Sequence, residues 1–348
     1  MSQTNFSKKM QNEQQTYVVA ELSANHNGKI ERAEEIIKAA ADAGADAIKL
    51  QTYTADSLTI ASSQPYFKID GTSCWAGRTL HDLYDEAYMP WDWHQHLKSF
   101  ANELGLDCFS TPFDDAAVDF LMDLGVPCFK VASFELIDIP LLKKIASTKK
   151  PVIMSTGMAT ISEIHEAVST LQDGGCPDLT LLKCTSAYPA LPEEANLLTI
   201  PNMAQTFGCS VGLSDHTLGS AVAIAAVSLG AKVIEKHLTL SRTDGGADSG
   251  FSMEPEEFKQ LVNDIRVAEK ALGDVCYELT ENQKQNVLGR RSLFVVTNMK
   301  KGEKFTSDNV RSIRPAHGLH PRYLETVLGR RASKDIEMGT PVSWDILT

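Results

Sequence analysis

Two imidazoles and two ammonium groups stand where this chain could do chemistry. His216 closes the run Val211-Gly212-Leu213-Ser214-Asp215-His216, and His237 closes Val233-Ile234-Glu235-Lys236-His237. Both runs read as buried strands that stop at a histidine. A lone strand-end histidine is more often structural. Two on consecutive strands, with carboxylates nearby, make a candidate pair of ligands for a divalent metal. Period-two alternation puts Glu235 on the His237 face and Ser214 on the His216 face. Lys49 and Gln51 share one face of Ile48-Lys49-Leu50-Gln51, and Lys130 lies within Phe129-Lys130-Val131. A lysine inside an apolar strand is costly unless paired. Two in one mouth would make a compact anion site; structural pairing with Glu21 or Glu235 is the alternative. Ser133, the Ser110-Thr111-Pro112-Phe113 strand end and the Ser155-Thr156-Gly157 strand end can add hydroxyls and backbone N–H groups. Alone, these Ser/Thr positions are a weak signal.

Such groups act together only if one scaffold gathers them. Strand patterns fall at 17–21, 47–51, 106–110, 128–131, 152–155, 179–184, 209–213 and 232–237. Helical patterns lie between them, for example the apolar spacing of Ile36, Ile37, Ala39 and Ala40. Eight strand–helix units predict a (β/α)8 TIM barrel, whose sites form at the strand C-termini. A doubly wound open sheet is the rival, but no Gly-x-Gly-x-x-Gly opens a helix after a strand. An insertion over 52–90 carries Trp75, Arg78, Tyr84 and Tyr88. It is either a wall of the substrate pocket or a packed surface excursion.

The 348 residues allow a large domain and a small one. We expect a polar tail over 1–16, the barrel over 17–280, a polar linker over 281–287 and a small domain over 288–348. Within that last part, Asn298–Phe305 aligns with Asp335–Val342 at an offset of 37 residues. The repeat predicts a pseudo-symmetric domain, mostly irregular or β. Its charge also differs from the rest. From residue 285 onward there are 11 Lys and Arg against 6 Asp and Glu, a net +5; the remainder has 22 against 39, a net −17. The basic tail either docks on an acidic body, its own or a partner's, or is merely a basic surface.

Overall net charge is −12, which argues against general nucleic-acid binding. No apolar stretch approaches a membrane span, and the opening residues lack a signal core. Seven cysteines, with no Cys-x-x-Cys pair, read as reduced core residues of a cytoplasmic protein. Cys184 lies near the expected site, but we see no base beside it in the sequence.

Several of these motifs resemble one family. They are Ala20-Glu21-Leu22-Ser23-Ala24-Asn25-His26-Asn27-Gly28, Gly44-Ala45-Asp46-Ala47-Ile48-Lys49-Leu50-Gln51, Ser110-Thr111-Pro112-Phe113, Ser155-Thr156-Gly157-Met158, Gly212-Leu213-Ser214-Asp215-His216 and Glu235-Lys236-His237. Together they are similar to the sialic acid synthase family over nearly the whole chain. The tail, with Lys300-Lys301-Gly302-Glu303 and Ser312-Ile313-Arg314-Pro315, resembles that family's antifreeze-like (SAF) domain.

The resemblance implies condensation of phosphoenolpyruvate with an open-chain amino sugar. It implies that Lys49, Lys130, Thr111, Ser133, Ser155 and Ser214 hold phosphate and carboxylate. His216 and His237 would hold Mn²⁺, with Mg²⁺ or Co²⁺ as alternatives, to polarise the sugar aldehyde. Glu21 would steer water or a proton, and Glu235 would orient sugar hydroxyls. Gln51, Tyr188 and Asp248 would complete the pocket. Arg314 would reach in from the tail of a domain-swapped homodimer.

Within the family, Glu21-Leu22-Ser23-Ala24-Asn25-His26, the Gly77-Arg78-Thr79-Leu80-His81-Asp82-Leu83-Tyr84 stretch and Lys183-Cys184-Thr185-Ser186 most resemble the branch whose acceptor is a 6-deoxy 2,4-diacetamido sugar, and the resemblance implies that acceptor here. The neuraminic and legionaminic branches more often carry Asn where this chain has Ser186, and they are the alternatives. A non-catalytic sugar- or ice-binding protein is the alternative of another class; the intact Lys49, Lys130, His216 and His237 set argues against it.

Overall fold

Eight apolar runs become eight parallel strands in sequence order, and the eighth pairs with the first. They are β1 (Tyr17–Glu21), β2 (Ala47–Thr52), β3 (Asp107–Pro112), β4 (Phe129–Val131), β5 (Val152–Ser155), β6 (Leu179–Cys184), β7 (Ser210–Asp215) and β8 (Val233–His237). This is a computed structural model that describes residues 15–69 and 75–348. Cys74 and residues 1–14 of the expected polar tail lie outside the described residues.

A parallel strand covered on both faces must be apolar along most of its length, which is why these runs were readable. β3 and β7 each extend two residues beyond the expected end. β3 continues because Gln51 and Thr52 of β2 pair with Thr111 and Pro112. Two helices that the apolar spacing predicts from Asn196 and Leu218 start three residues later, at Thr199 and Ala221. Left-handed backbone at Asn196 (φ 46°) and Gly219 (φ 75°) is incompatible with a helix passing through them.

Register decides which side chains meet. Glu21 stands opposite Lys49 on one side and His237 on the other. Ser214 stands opposite Glu235. The insertion folds as two short helices, Ala55–Leu58 and Leu80–Ala87, with a 3-10 turn at Pro65–Phe67.

The chain divides into two units, residues 1–273 and 274–348. The stretch expected as a linker contains an exposed helix, Glu281–Gln285, started by Thr280 and Gln283 capping each other's backbone. The second unit has a small core of its own around Leu293, Phe305 and Val342. Its antiparallel strands are β9 (Ser292–Val295) and β10 (Val310–Ile313). The internal repeat is paired with itself: Met299 and Ile336, equivalent positions 37 residues apart, exchange both backbone hydrogen bonds at 2.8 and 2.9 Å. Among the described residues no helix is long and apolar enough to cross a membrane.

Candidate active site

Inward-facing residues at the C-terminal ends of the strands line a cavity of about 460 Å³. Its floor is charged. Lys49 Nζ lies 2.8 Å from Glu21 Oε2 and 3.4 Å from Glu235 Oε1. Lys130 Nζ is 3.8 Å from Glu235 Oε2. The structural pairing allowed for in the sequence is therefore present, and it coexists with exposure of all four groups to the cavity. Glu21 Oε2 and Glu235 Oε2 are buried without a well-directed hydrogen bond, although ammonium groups stand near both. Close but misaligned pairs of this kind leave lone pairs and N–H groups for a ligand.

Hydroxyls surround the ammonium groups. Lys130 donates to Ser155 Oγ at 2.7 Å and Lys49 to Thr111 Oγ1 at 3.5 Å. Ser214 Oγ donates to Glu235 Oε1 at 3.2 Å. Ser133 Oγ accepts from Gly157 N at 3.0 Å. A side chain at Gly157 would overlap Ser133 and Ser186, so the chain needs glycine there to bring β4 and β6 loop residues together.

Burial pushes Glu21 up to about 7; Lys49 opposes the shift and Glu235 adds to it. Burial would also raise Glu235, but Lys130, Lys49 and His216 outweigh it and hold this carboxylate below its ordinary range. One site thus contains a carboxyl that can exchange a proton near neutrality and a carboxylate that stays ionised.

The two imidazoles sit with ring centroids 5.3 Å apart. His216 Nδ1 is 3.0 Å from the Thr185 carbonyl, which can only accept. That nitrogen carries a hydrogen; burial would lower the ring, but Cys184, the Thr185 carbonyl and Glu235 outweigh it and raise His216 above the ordinary imidazole range. His237 Nδ1 is buried with no partner. Burial, together with His216 and the nearby lysines, drives His237 well below the ordinary imidazole range, so it is neutral. Among the described residues no group of three His, Cys, Asp or Glu converges as a closed cage. A neutral His237 with an unspent Nδ1, and a His216 once it has shed its proton, fit an open divalent-metal site, with further positions left for substrate or water.

Above the floor the cavity is aromatic and apolar. Tyr188 packs on His216 (4.5 Å between centroids), and Phe251 packs on His237 (4.9 Å). Trp75 stacks on Tyr188 and donates to the Ala247 carbonyl at 2.8 Å. Leu58, Ile69, Leu80, Leu83 and Tyr84 add an apolar wall. The insertion over 52–90 is therefore a pocket wall rather than a surface excursion. Arg78 takes no part in the lining and pairs with Glu86 at 2.7 Å.

Gln51 reaches Glu21 at 3.0 Å and Ser23 at 3.1 Å, and Ser23 donates to Asp248. Thr111 and Ser186 stand behind the cavity rather than in its lining. Arg314 belongs to the second unit.

Sequence reasoning missed three residues, Ser23, Glu135 and Phe251, and the surroundings of Cys184. Glu135 lines the cavity, has a buried Oε2 with no partner, and is pushed up to about 7 by burial. Cys184 has an imidazole neighbour that the sequence did not reveal: His216 Nδ1 lies 4.0 Å from its sulfur. Burial would raise this thiol, but His216 and the hydroxyls of Ser133 and Ser186 bring it down to about 7. The nearby nitrogen already carries its hydrogen toward Thr185, so it cannot take the thiol proton. A larger hollow of about 750 Å³, lined by Lys143, Lys149 and His165 between two outer helices, is open and shares no residue with the catalytic mouth.

A closed parallel barrel with lysines, carboxylates and paired imidazoles at its mouth defines a barrel enzyme acting on an anionic substrate. A NeuB family model matches residues 36–277, and a SAF domain model matches residues 290–348. The chain belongs to the NeuB family and carries a SAF domain at its end. It is 45% identical to a pseudaminic acid synthase of Campylobacter jejuni, over 94% of this chain and 95% of the relative. Identity to a pseudaminic acid synthase of Helicobacter pylori is 42%, over 94% and 96%. Among solved structures, the N-acetylneuraminic acid synthetase of Leptospira borgpetersenii, in complex with citrate, matches with a TM-score of 0.70 and 32% identity, covering 78% of this chain and 90% of that one.

Proposed function

We propose that this chain has the activity of a pseudaminic acid synthase. It condenses phosphoenolpyruvate with a 2,4-diacetamido-2,4,6-trideoxy-altrose-type sugar and releases phosphate. The observation that carries this reading is the division of one cavity into a floor of Lys49, Lys130 and hydroxyls and a wall of aromatic and aliphatic side chains. The floor suits an anion. The wall suits a deoxy-sugar methyl and acetamido methyls, which gain from leaving water.

In this reading Lys49 and Lys130, with Ser133, Ser155 and Ser214, bind the phosphate and carboxylate of phosphoenolpyruvate. A bond forms between its carbon 3 and the sugar aldehyde carbon, whose oxygen takes up a proton. Water adds at carbon 2, and the carbon–oxygen bond to phosphate breaks. Glu21 is the group that holds or delivers a proton near neutral pH. Glu235 stays ionised and orients sugar hydroxyls. His216 and His237 would hold the divalent ion, Mn²⁺ first among the candidates, which supplies Lewis-acid polarisation of the aldehyde when bound.

We further propose a crossed homodimer in which Arg314 of one tail serves the partner's barrel. The opposite net charges of tail and body support this. So do Ile137, Met158, Ile161, Leu191, Leu198 and Leu218, large apolar side chains exposed in and around the loops that follow β4 to β7. Free thiols at the six described cysteines support a cytoplasmic setting.

The test is a substrate panel. Phosphate release from phosphoenolpyruvate is followed with the diacetamido altrose sugar, its legionaminic-type isomer and N-acetylmannosamine. The altrose sugar should give the highest kcat/KM. A higher value for N-acetylmannosamine would move the chain to the neuraminic branch, and no phosphate release with any sugar would leave a non-catalytic binder.

A further inference from the structure

Each candidate metal-binding histidine is preceded by a charged residue on the opposite face of the strand. Asp215 and Lys236 are register partners across β7 and β8. Lys236 Nζ lies 2.6 Å from Asp215 Oδ2, and both side chains are 1% exposed. The same ammonium donates to the Thr217 carbonyl at 2.6 Å. Asp215 Oδ1 accepts from Thr217 N at 2.9 Å and from Thr217 Oγ1 at 2.7 Å. His216 therefore lies between two residues that are both tied to one ammonium on the neighbouring strand. That ammonium belongs to the residue just before His237.

The pair does not line the cavity. Nor is stability a sufficient reason for it, since desolvation offsets most of the attraction in a buried ion pair. What it does fix is the backbone at the two points where the imidazoles leave the barrel. We propose that the Asp215–Lys236–Thr217 clamp sets the separation and ring orientation of His216 and His237, and so the strength with which they hold a divalent ion. The metal part of this inference rests on the reading of both histidines as ligands. Asp215 and Lys236 are positioning residues. Neither lines the cavity; besides the charge that Lys236 places near His237, they act by restricting where the rings can stand. A change of about an ångström there is enough to weaken a two-ligand site.

The double variant Asp215→Asn, Lys236→Met removes the ionic tie and retains an acceptor for Thr217. Full-length wild-type and variant proteins are compared metal-free and with Mn²⁺ alone. The variant should melt cooperatively and bind phosphoenolpyruvate as the wild type does. Its His216 and His237 side-chain nitrogen signals should shift and broaden, and its Kd for Mn²⁺ should rise by about 10- to 100-fold. Unchanged imidazole signals together with unchanged Mn²⁺ affinity would overturn the clamp. Imidazole signals that move, in a protein whose wild type takes up no Mn²⁺, would support the clamp and sink the metal reading. If the double variant does not fold, Asp215→Asn alone is read against the same outcomes.

Discussion

Lys130 and Ser155 are joined by a 2.7 Å hydrogen bond, while the nearest carboxylate to Lys130, Glu235, is 3.8 Å away. Lys49 is placed differently, with Glu21 at 2.8 Å and Glu235 at 3.4 Å. The electrostatics follow the geometry. Burial holds Lys130 below the ordinary lysine range, whereas in Lys49 burial is outweighed by the two carboxylates and the group is raised. Lys130 is thus the less satisfied cation and the one with more to gain from an incoming anion.

Truncation should separate the two lysines. Lys49→Ala leaves Glu21 and Glu235 buried and facing one another, and a loss of about 3–5 kcal/mol is expected for stranding buried charges. Lys130→Ala leaves the Lys49 pairs intact and should cost less stability, while raising KM for phosphoenolpyruvate more than KM for the sugar. Urea unfolding and steady-state kinetics check this. Equal stability losses, or an unchanged KM for phosphoenolpyruvate in Lys130→Ala, would show that the contrast has no consequence.

Metal removal should abolish turnover, and Mn²⁺ should restore it. His216→Ala and His237→Ala should lower metal affinity while the protein stays folded, because each removes one of only two imidazole donors. Equilibrium dialysis with Mn²⁺ and thermal melts give the two readouts. Full activity in metal-stripped protein would remove the metal from the mechanism.

Glu135 predicts a pH dependence of stability. Burial raises its folded-state value from 4.5 to about 7. The folded protein then binds this proton more tightly than the unfolded chain does. Stability should fall as pH rises from the unfolded value toward about 7, and should level off above it. Glu135→Gln removes that slope, so its stability relative to wild type should be greater at pH 8 than at pH 5. Parallel denaturation curves at both pH values decide; a difference that does not change with pH refutes the assignment.

The crossed arrangement can be tested by complementation. At phosphoenolpyruvate concentrations far below the raised KM of Lys130→Ala, the Lys130→Ala and Arg314→Ala chains each turn over little in the proposed reading. Refolded together as a crossed dimer, the Arg314→Ala barrel receives an intact tail from the Lys130→Ala chain, and one complete site returns. Persistent inactivity, with mixed dimers demonstrated and both variants folded, would mean that each tail serves its own barrel.

The barrel was legible because its strands are buried on both sides and so appear as apolar runs. Period-two alternation correctly placed Lys49 with Gln51, Glu235 with His237 and Ser214 with His216 on the cavity face. The Asp215–Lys236 pair lies on the opposite face of β7 and β8, where alternation toward the cavity gives no sign of it. Glu135 escaped because it lies in a single 3-10 turn, Glu135–Ile137, where no periodic pattern marks a face. The neighbour of Cys184 is 32 residues away in the chain, a contact that the pairing of β6 with β7 creates. Helix starts were misjudged where Asn196 and Gly219 adopt left-handed backbone, since composition gives helical spacing no warning of a turn.

Glu21, Lys49, Glu235 and Lys130, when all are ionised, form a row of alternating sign and no net charge. An anion does not enter such a row as it would a vacant positive hole. It must offer the lysines more than the carboxylates they already face, so association is an exchange of partners. Chloride or a stray carboxylate brings too few contacts to win that exchange. A ligand that joins a phosphate and a carboxylate on one short rigid frame can engage both ammonium groups at once. The self-neutralised row therefore favours a guest by the number and spacing of its charges.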